Sequence, residues 1–163
     1  MSAAHVELPG PGPYTIDTMP PDPIGWRGEL LDGQLIMSLL ADADHQDLVT
    51  ALLLQLVQRI PRGLKVVPGT NVIVEDHTLL IPDVAVVDPE HLVHKRLGYS
   101  PLGVALAIEI TSPSTRKYDL TTKRELARAW GMPMLIVDRT KSLNTVIVEG
   151  ELPGWALGLH VDL

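Results

Sequence analysis

A short turn between two apolar runs is the first structural signal in the chain. The stretch "WRGELLDGQLIMS" places Asp32 and Gly33 between them. Both residue types tolerate a positive φ, as the tight turn of a β-hairpin requires. The pattern predicts a hairpin over about residues 28–38.

The next segment, "DADHQDLVTALLLQLVQRI", has acidic residues at its start and a break at Pro61 and Gly63. Its apolar residues recur at helical spacing, so it predicts an amphipathic helix. The positions that carry this pattern are Leu48, Leu52, Leu53, Leu56 and Ile60.

Several strand patterns follow, separated by one further helix. "LKVVPGTNVIVEDHTLLIPDVAVVD" predicts two or three short strands, and "VALAIEIT" predicts another. "YDLTTKRELARAWG" predicts a helix that ends at Gly131 and Pro133. "MLIVD" and "NTVIVEG" are further strands, and "WALGLHVDL" is a candidate for a last one. This mixed order predicts an α/β fold in which helices pack on a sheet.

The beginning of the chain differs from the rest in composition. Six prolines and two glycines fall between residues 9 and 23, a density that excludes a regular helix or a central strand. We therefore expect a flexible arm over residues 1–25 and a single domain over residues 26–163.

Composition limits the location and the class of protein. The chain is 45% hydrophobic and 20% charged, which is too apolar for disorder, yet no segment approaches the length of a membrane span. Its N-terminus lacks the pattern of a secretory signal, and it has no cysteine. We expect a soluble, cytoplasmic protein without a membrane partner.

The charge is unevenly distributed. The formal net charge is −7, but residues 112–141 hold seven basic and three acidic residues, a local balance of +4. The excess is compatible with an ordinary solvated helix face, and equally with local contacts to phosphate groups.

Two carboxylates stand at the ends of apolar strands. Asp83 precedes the run "VAVV", and Glu109 lies near the end of "VALAIEIT". Asp83 can simply cap the backbone after Pro82. Glu109 shares one face of its strand with the small residues Ala105 and Ala107, while the large residues alternate onto the other face. A buried carboxylate requires a partner, which is either a structural base or a functional group.

Lys123 is the basic residue that could complete a set with these acids. It lies 14 positions beyond Glu109, near the start of the helix that leaves the strand. Without the two acids, a lysine at this position would be interpreted as an ordinary solvated surface residue. Two carboxylates and a lysine at one sheet edge are, however, suited to bind Mg²⁺ or Mn²⁺ and to act on a phosphodiester.

Five segments resemble a known family in order and spacing: "GELLDGQLIMS", "DADHQDLV", "LIPDVAVVDPE", "AIEITSPSTRKYDLTTKRELARAWGMP" and "LIVD". Together they resemble the Uma-two family of restriction-endonuclease-like proteins, within the PD-(D/E)XK nuclease superfamily. The resemblance covers about residues 26–140. It implies a restriction-endonuclease-like mixed β-sheet core flanked by helices, with an N-terminal β-hairpin.

The resemblance also implies roles for particular residues. The metal-binding acids of the superfamily correspond to Asp83 and Glu109, and an early family glutamate corresponds to Glu29. The family lysine, moved from the strand to the following helix, corresponds to Lys123. The catalytic set is then Glu29, Asp83, Glu109 and Lys123, with His45 facing the site.

Some positions depart from the wider pattern. Thr111 stands where the superfamily has its in-strand lysine, so a catalytic interpretation depends on Lys123, and Thr111 itself becomes a candidate lining residue. Ala127 and the run Met134-Leu135-Ile136 replace family aromatic and acidic residues. These changes affect packing or partner contacts rather than the metal site.

Three functions remain open, the last of them a small-molecule enzyme that uses the same acidic cleft. The first is a divalent-metal-dependent endonuclease acting on DNA, with phosphate contacts from Arg116, Lys117 and Arg124. The second is a catalytically silent interaction protein that retains the fold; a homodimer is expected in either case.

Other classes of site are disfavoured by the motifs. "HLVHK" lacks a third zinc ligand, and "DADHQD" lacks the glycine and glutamate of a calcium loop. The chain contains neither a nucleophile elbow nor a phosphate-binding glycine loop, so a serine hydrolase and a nucleotide cofactor are not expected.

Overall fold

The computed structural model describes residues 12–139 and 144–161. Residues 1–11 of the predicted arm, Lys141 of the basic segment and the last two residues of the candidate final strand lie outside these ranges. The strands are β1 (Trp26–Leu31), β2 (Gln34–Leu39), β3 (Lys65–Pro68), β4 (Val72–Glu75), β5 (Thr78–Leu80), β6 (Val84–Val87), β7 (Leu92–Val93), β8 (Gly98–Tyr99), β9 (Val104–Ile110), β10 (Met134–Asp138) and β11 (Thr145–Glu149).

These strands form two sheets. The five-stranded sheet has the order β11-β10-β9-β6-β3, and the six-stranded sheet has the order β2-β1-β5-β4-β8-β7. Strand β9 runs parallel to β10 and antiparallel to β6. The α/β fold predicted from the sequence is confirmed; the structure adds the second sheet, which the pattern of the chain did not indicate.

The predicted hairpin is confirmed as the pair β1–β2. Asp32 and Gly33 form its turn with φ values of 48° and 78°. Both angles lie in the left-handed region that glycine and aspartate tolerate best. The backbone N–H of Tyr14 donates to the carbonyl oxygen of Gly33 at 2.8 Å, so the chain before the hairpin contacts its turn.

The first helix, α1 (Ala43–Val57), is also confirmed. The carboxylate of Asp42 caps it by accepting a hydrogen bond from the backbone N–H of His45 at 2.8 Å. Leu48, Leu52 and Leu56 are buried on one side of the helix and belong to the core against the five-stranded sheet. This packing fixes His45, in the first turn of the helix, beside Asp83 at the start of β6.

Strand β9 lies in the middle of the five-stranded sheet and has two covered faces. Leu106, Ile108 and Ile110 belong to the core cluster that contains α1. Ala107 lies in the opposite cluster, together with Ala127 of the later helix. The alternation of large and small residues therefore provides space for that helix to pack.

The first residues of β9 depart from the predicted alternation. Val104 belongs to the cluster of Ala107, whereas Ala105 packs against the opposite cluster. The pairing of β6 with β9 shifts register between Val86 and Val87, which exchanges the two faces at this end of the strand.

The predicted second helix contains an irregular turn. It consists of α2 (Arg116–Tyr118), a π-helical turn (Asp119–Lys123) and α3 (Arg124–Ala129). A π-turn inserts one extra residue per turn and is often found at functional sites. Asp119 and Lys123, at the two ends of this turn, are both buried.

The prediction of a last strand is wrong for the residues that can be described. Gly154–Ala156 forms a 3₁₀ turn, and no strand occurs between residues 154 and 161. This 3₁₀ turn and the positive φ of Gly158 interrupt the extended backbone there. Among the helices of the two described ranges, none has the length and apolar character needed to cross a membrane.

Candidate functional site

The ammonium group of Lys123 lies among three carboxylates. Its Nζ is 2.8 Å from Oε1 of Glu109, 3.1 Å from Oε1 of Glu29 and 3.4 Å from Oδ1 of Asp119. The Lys123 side chain is only 2% exposed, and the Tyr118 ring covers it with its centroid 5.4 Å from Nζ. A buried charge of this kind is tolerated only when it is paired, and here it has three partners.

Each partner reaches Lys123 from a different element. Glu109 comes from β9, Glu29 from the hairpin strand β1, and Asp119 from the first position of the π-turn. Oε1 of Glu29 also accepts a hydrogen bond from the backbone N–H of Ile81 at 2.5 Å. Lys123 therefore links the two sheets and the helix at one point.

Asp83 has a separate set of partners beside this cluster. Its Oδ2 accepts a hydrogen bond from the backbone N–H of Ile110 at 2.8 Å and lies 3.0 Å from Nε2 of His45. Its Oδ1 accepts one from Nη2 of Arg27 at 3.2 Å. These contacts attach the start of β6 to the end of β9, to α1 and to β1.

The surroundings of the carboxylates shift their acidities in opposite directions. Burial raises the pKa of Glu109 well above its usual value, and the attraction of Lys123 opposes this only in part. Burial likewise raises the pKa of Asp119. Burial alone would raise the pKa of Asp83, but the contacts of His45 and Arg27 and the Ile110 N–H lower it below its usual value.

The pKa of Lys123 is shifted in the direction expected for a cation surrounded by acids. Burial favours loss of its proton, but the charges of Glu109, Glu29 and Asp119 outweigh burial and raise the pKa of Lys123 well above its usual value. The amine is therefore a permanent cation and a hydrogen-bond donor at neutral pH.

The residues around Lys123 and Asp83 line one cleft with a volume of about 50 Å³. This is enough for a few water molecules, because a cavity needs about 10–15 Å³ to hold one water molecule. The charged residues of the lining are Arg27, Glu29, Asp83, Glu109, Asp119 and Lys123. Four carboxylates against two cations leave a formal charge of −2 when His45 is counted as neutral.

The predicted site residues are brought together only in part. Glu29, His45, Asp83, Glu109 and Lys123 all line this cleft. Thr111 is not among its lining residues, because β9 ends at Ile110 and the Thr111 hydroxyl instead donates to Oδ1 of Asp138 at 3.2 Å.

The three predicted phosphate contacts differ from one another. Arg116 binds the carboxylate of Asp138 through two hydrogen bonds of 3.0 and 2.8 Å, and Arg124 donates to Glu149 at 3.1 Å. Lys117 is exposed and forms no ion pair with any residue in the part of the chain that the structure describes. Lys117 is therefore the most available of the three.

Two charged residues of the cleft, Arg27 and Asp119, were not predicted as site residues from the sequence. A signal for each was present. Arg27 lies two positions before Glu29, so a strand places both side chains on one face. Asp119 lies four positions before Lys123, so a helix places both on one side. Neither spacing indicates the cleft by itself, because the other residues that line the cleft come from distant parts of the chain.

The architecture defines a class of protein. Its two sheets form a restriction-endonuclease-like fold, as comparison with solved structures shows. A crystal structure described as "a putative nuclease belonging to DUF820", from Anabaena variabilis, superposes with a TM-score of 0.65. The alignment covers 92% of this chain and 95% of that one at 19% sequence identity, a level at which the likeness concerns the fold alone.

The sequence identifies the family. Residues 14–150 match Uma2, described as "Putative restriction endonuclease". The chain belongs to the Uma2 family, which is the Uma-two family that its sequence motifs resemble. No curated protein matches the chain.

Nucleases with this fold generally use a divalent metal, and the acids of the cleft are the candidate ligands for such an ion. The part of the chain that the structure describes contains no group of three or more acidic, histidine or cysteine residues arranged to hold a metal ion. The donor types nevertheless fit, because carboxylate and carbonyl oxygens are the ligands preferred by Mg²⁺ and Mn²⁺. The formal charge of −2 also matches a divalent cation.

Proposed function

We propose that this protein is a divalent-metal-dependent endonuclease that hydrolyses phosphodiester bonds in DNA. One observation carries the proposal. Two buried acids, Asp83 directly before β6 and Glu109 on the neighbouring antiparallel strand β9, line the same cleft as a buried lysine. The charged residues of that cleft have a formal charge of −2. Membership of the Uma2 family supports the same activity.

In this proposal Asp83, Glu109 and the backbone carbonyl of Ile110 bind Mg²⁺ or Mn²⁺. A bound divalent cation supplies an activated water molecule and offsets the negative charge that develops on a phosphodiester. His45 orients Asp83 through its 3.0 Å contact with Oδ2, while the Ile110 N–H fixes the same oxygen from the strand.

Lys123 acts as a permanent cation in the proposed mechanism. Its raised pKa excludes the role of proton acceptor at neutral pH. Its Nζ donates to Oε1 of Glu109, which orients that carboxylate and leaves Oε2 for another partner. Glu29 completes the acidic cluster by fixing Lys123 from the hairpin.

Contacts to DNA must overcome the acidic character of the chain as a whole. Binding to phosphates depends on local positive charge, and Lys117 lies beside the cleft-lining residue Tyr118. We propose Lys117 as a phosphate contact. Arg116 and Arg124 can contribute only their remaining donors, since both already bind carboxylates.

Cleavage of plasmid and linear DNA with Mg²⁺ or Mn²⁺ tests the proposal. Asp83→Asn and Glu109→Gln preserve the shape of the side chains and remove one negative charge each, and both should abolish cleavage. Glu90→Gln, at an exposed position, makes the same change away from the cleft and should cleave normally. Cleavage at the wild-type rate by Glu109→Gln would contradict the assignment.

A catalytically silent interaction protein is the second candidate. One observation favours it: every candidate metal-binding acid is already paired within the chain, Asp83 with Arg27 and Glu109 with Lys123. We would then expect a homodimer that shows no heat of Mn²⁺ binding. Calorimetry with Mn²⁺ separates the two candidates; a mass measurement in solution does not, because a homodimer is expected of both.

A further inference from the structure

Arg27 differs from the other partners of Asp83 in its exposure to solvent. Its side chain is 29% exposed, whereas that of His45 is 6% exposed. The third donor, the backbone N–H of Ile110, is fixed in β9. Asp83 therefore has two buried partners on Oδ2 and one partly exposed partner on Oδ1.

Arg27 also lies between two clefts. It lines the cleft of about 50 Å³ around Lys123 and a neighbouring cleft of about 190 Å³. His45 and Asp83 line both clefts as well. Together these three side chains separate the two spaces, and the side chain of Arg27 is the one with access to solvent.

The charge of Arg27 is directed toward the acids of the cleft. Burial lowers the pKa of Arg27, but the negative charges of Asp83, Glu109 and Glu29 outweigh burial and raise that pKa above its usual value. Arg27 therefore supplies one positive charge where the cleft has an excess of carboxylates. It reaches them from the hairpin, two positions before Glu29, and depends on no other described residue for an ion pair.

We propose that Arg27 is an exchangeable counter-ion of Asp83, which it positions and neutralises until a divalent cation takes its place. The inference rests on the proposed function, because it assumes that the cleft binds such a cation. Release of Arg27 exposes Oδ1 of Asp83 and removes a positive charge that repels the incoming cation. His45 and the Ile110 N–H meanwhile keep the carboxylate in its orientation.

Mn²⁺ binding measured by calorimetry on the full chain tests this directly. Arg27→Gln should lower the dissociation constant for Mn²⁺ about tenfold or more, the factor expected when a charge-assisted hydrogen bond need not be broken first. Arg27→Lys retains the charge and should bind nearly as the wild type does. A residue with only a structural role would weaken Mn²⁺ binding when replaced.

Arg62→Gln is the matched control. Arg62 is exposed in the loop before β3, so the substitution makes the same change in net charge away from the cleft. Screening by about 0.15 M salt limits its effect on Mn²⁺ binding to less than about twofold. A similar gain in Arg62→Gln and Arg27→Gln would overturn the inference, because net charge alone would then explain both.

The outcomes separate this inference from the proposed function. Equal or weaker Mn²⁺ binding by Arg27→Gln, with clear binding by the wild type, overturns the inference and leaves the metal site standing. No binding by either protein overturns both.

A measurement on the unaltered protein removes any dependence on the folding of a variant. The side-chain N–H signal of Arg27, followed by NMR during titration with Mg²⁺, should shift towards the position of a solvated arginine. A signal that stays in place while the cleft binds Mg²⁺ overturns the inference.

Discussion

Nζ of Lys123 lies 2.8 Å from Oε1 of Glu109, although one residue belongs to a π-turn and the other to the central strand of a sheet. The same amine contacts Glu29 and Asp119, so a single cation holds three buried acids together. Such a group is costly to disturb, because removal of one charge leaves the others without compensation. Stability and the proposed chemistry therefore depend on the same side chains.

Lys123→Ala should greatly destabilise the protein. Loss of the ammonium leaves buried carboxylates unpaired, which costs about 3–5 kcal/mol in free energy of unfolding. Chemical denaturation measures this loss, and Lys117→Ala, at an exposed neighbouring position, should change the free energy by less than about 0.5 kcal/mol. Similar effects of the two substitutions would show that Lys123 is not buried among acids.

The pH dependence of stability should reflect Glu109. Its pKa in the folded protein is raised, mainly by burial, so the native state binds its proton more tightly than the unfolded chain does. Its contribution to stability is therefore complete below the unfolded pKa of about 4.3 and is lost as pH rises through the folded pKa. Glu109→Gln should flatten this decline.

The pKa of Asp83 is shifted in the opposite direction to that of Glu109, so the same titration contains an internal check. Its folded pKa is lowered, so its contribution to stability is present above the unfolded pKa of about 3.9 and is lost as pH falls through the folded pKa. Denaturation curves between pH 3 and pH 9 should show both trends. An Asp83→Asn variant that still loses stability as steeply at the acidic end would contradict this assignment.

His45→Ala should destabilise the protein through Asp83. The imidazole is buried and lies 3.0 Å from Oδ2, so its loss removes a hydrogen-bonding partner from a buried carboxylate and costs about 1–3 kcal/mol. His77→Ala removes an exposed imidazole and should change the midpoint of thermal unfolding very little. Equal midpoints for the two variants would argue against a contact between His45 and Asp83.

Lys117→Gln should weaken DNA binding without affecting the fold. The loss of one phosphate contact reduces the slope of log affinity against log salt concentration by about 0.9 in magnitude. Fluorescence anisotropy with a DNA duplex at several salt concentrations measures this slope. Lys65→Gln, at an exposed position on β3, is the control and should leave the slope unchanged. An unchanged slope for Lys117→Gln would exclude Lys117 as a phosphate contact.

Much of the local structure could be predicted from the sequence. The turn at Asp32 and Gly33 required positive φ angles, and the apolar spacing of α1 required one buried side. These features depend on residues a few positions apart, so they are visible in a linear pattern. The same holds for the strand that carries Glu109 and for the helix that carries Lys123.

The short strands of the six-stranded sheet could not be predicted in this way. Strands β7 and β8 have two residues each, too few for any periodic pattern to emerge. The register shift at Val86 and Val87 likewise has no local signature, because it results from pairing with β9. These elements exist only in the context of their neighbours.

The sequence by itself determined which residues carry charge at the strand ends and which faces of the elements are apolar. It therefore predicted that Asp83, Glu109 and Lys123 form one group. Only the tertiary structure decided how those charges are paired. Strand β9 brought Glu109, and the hairpin brought Glu29, to the amine of Lys123. The hairpin also brought Arg27 to Asp83 from 56 positions away. Electrostatic pairing depends on distances in space, and those distances are set by sheet register and packing rather than by the order of residues along the chain.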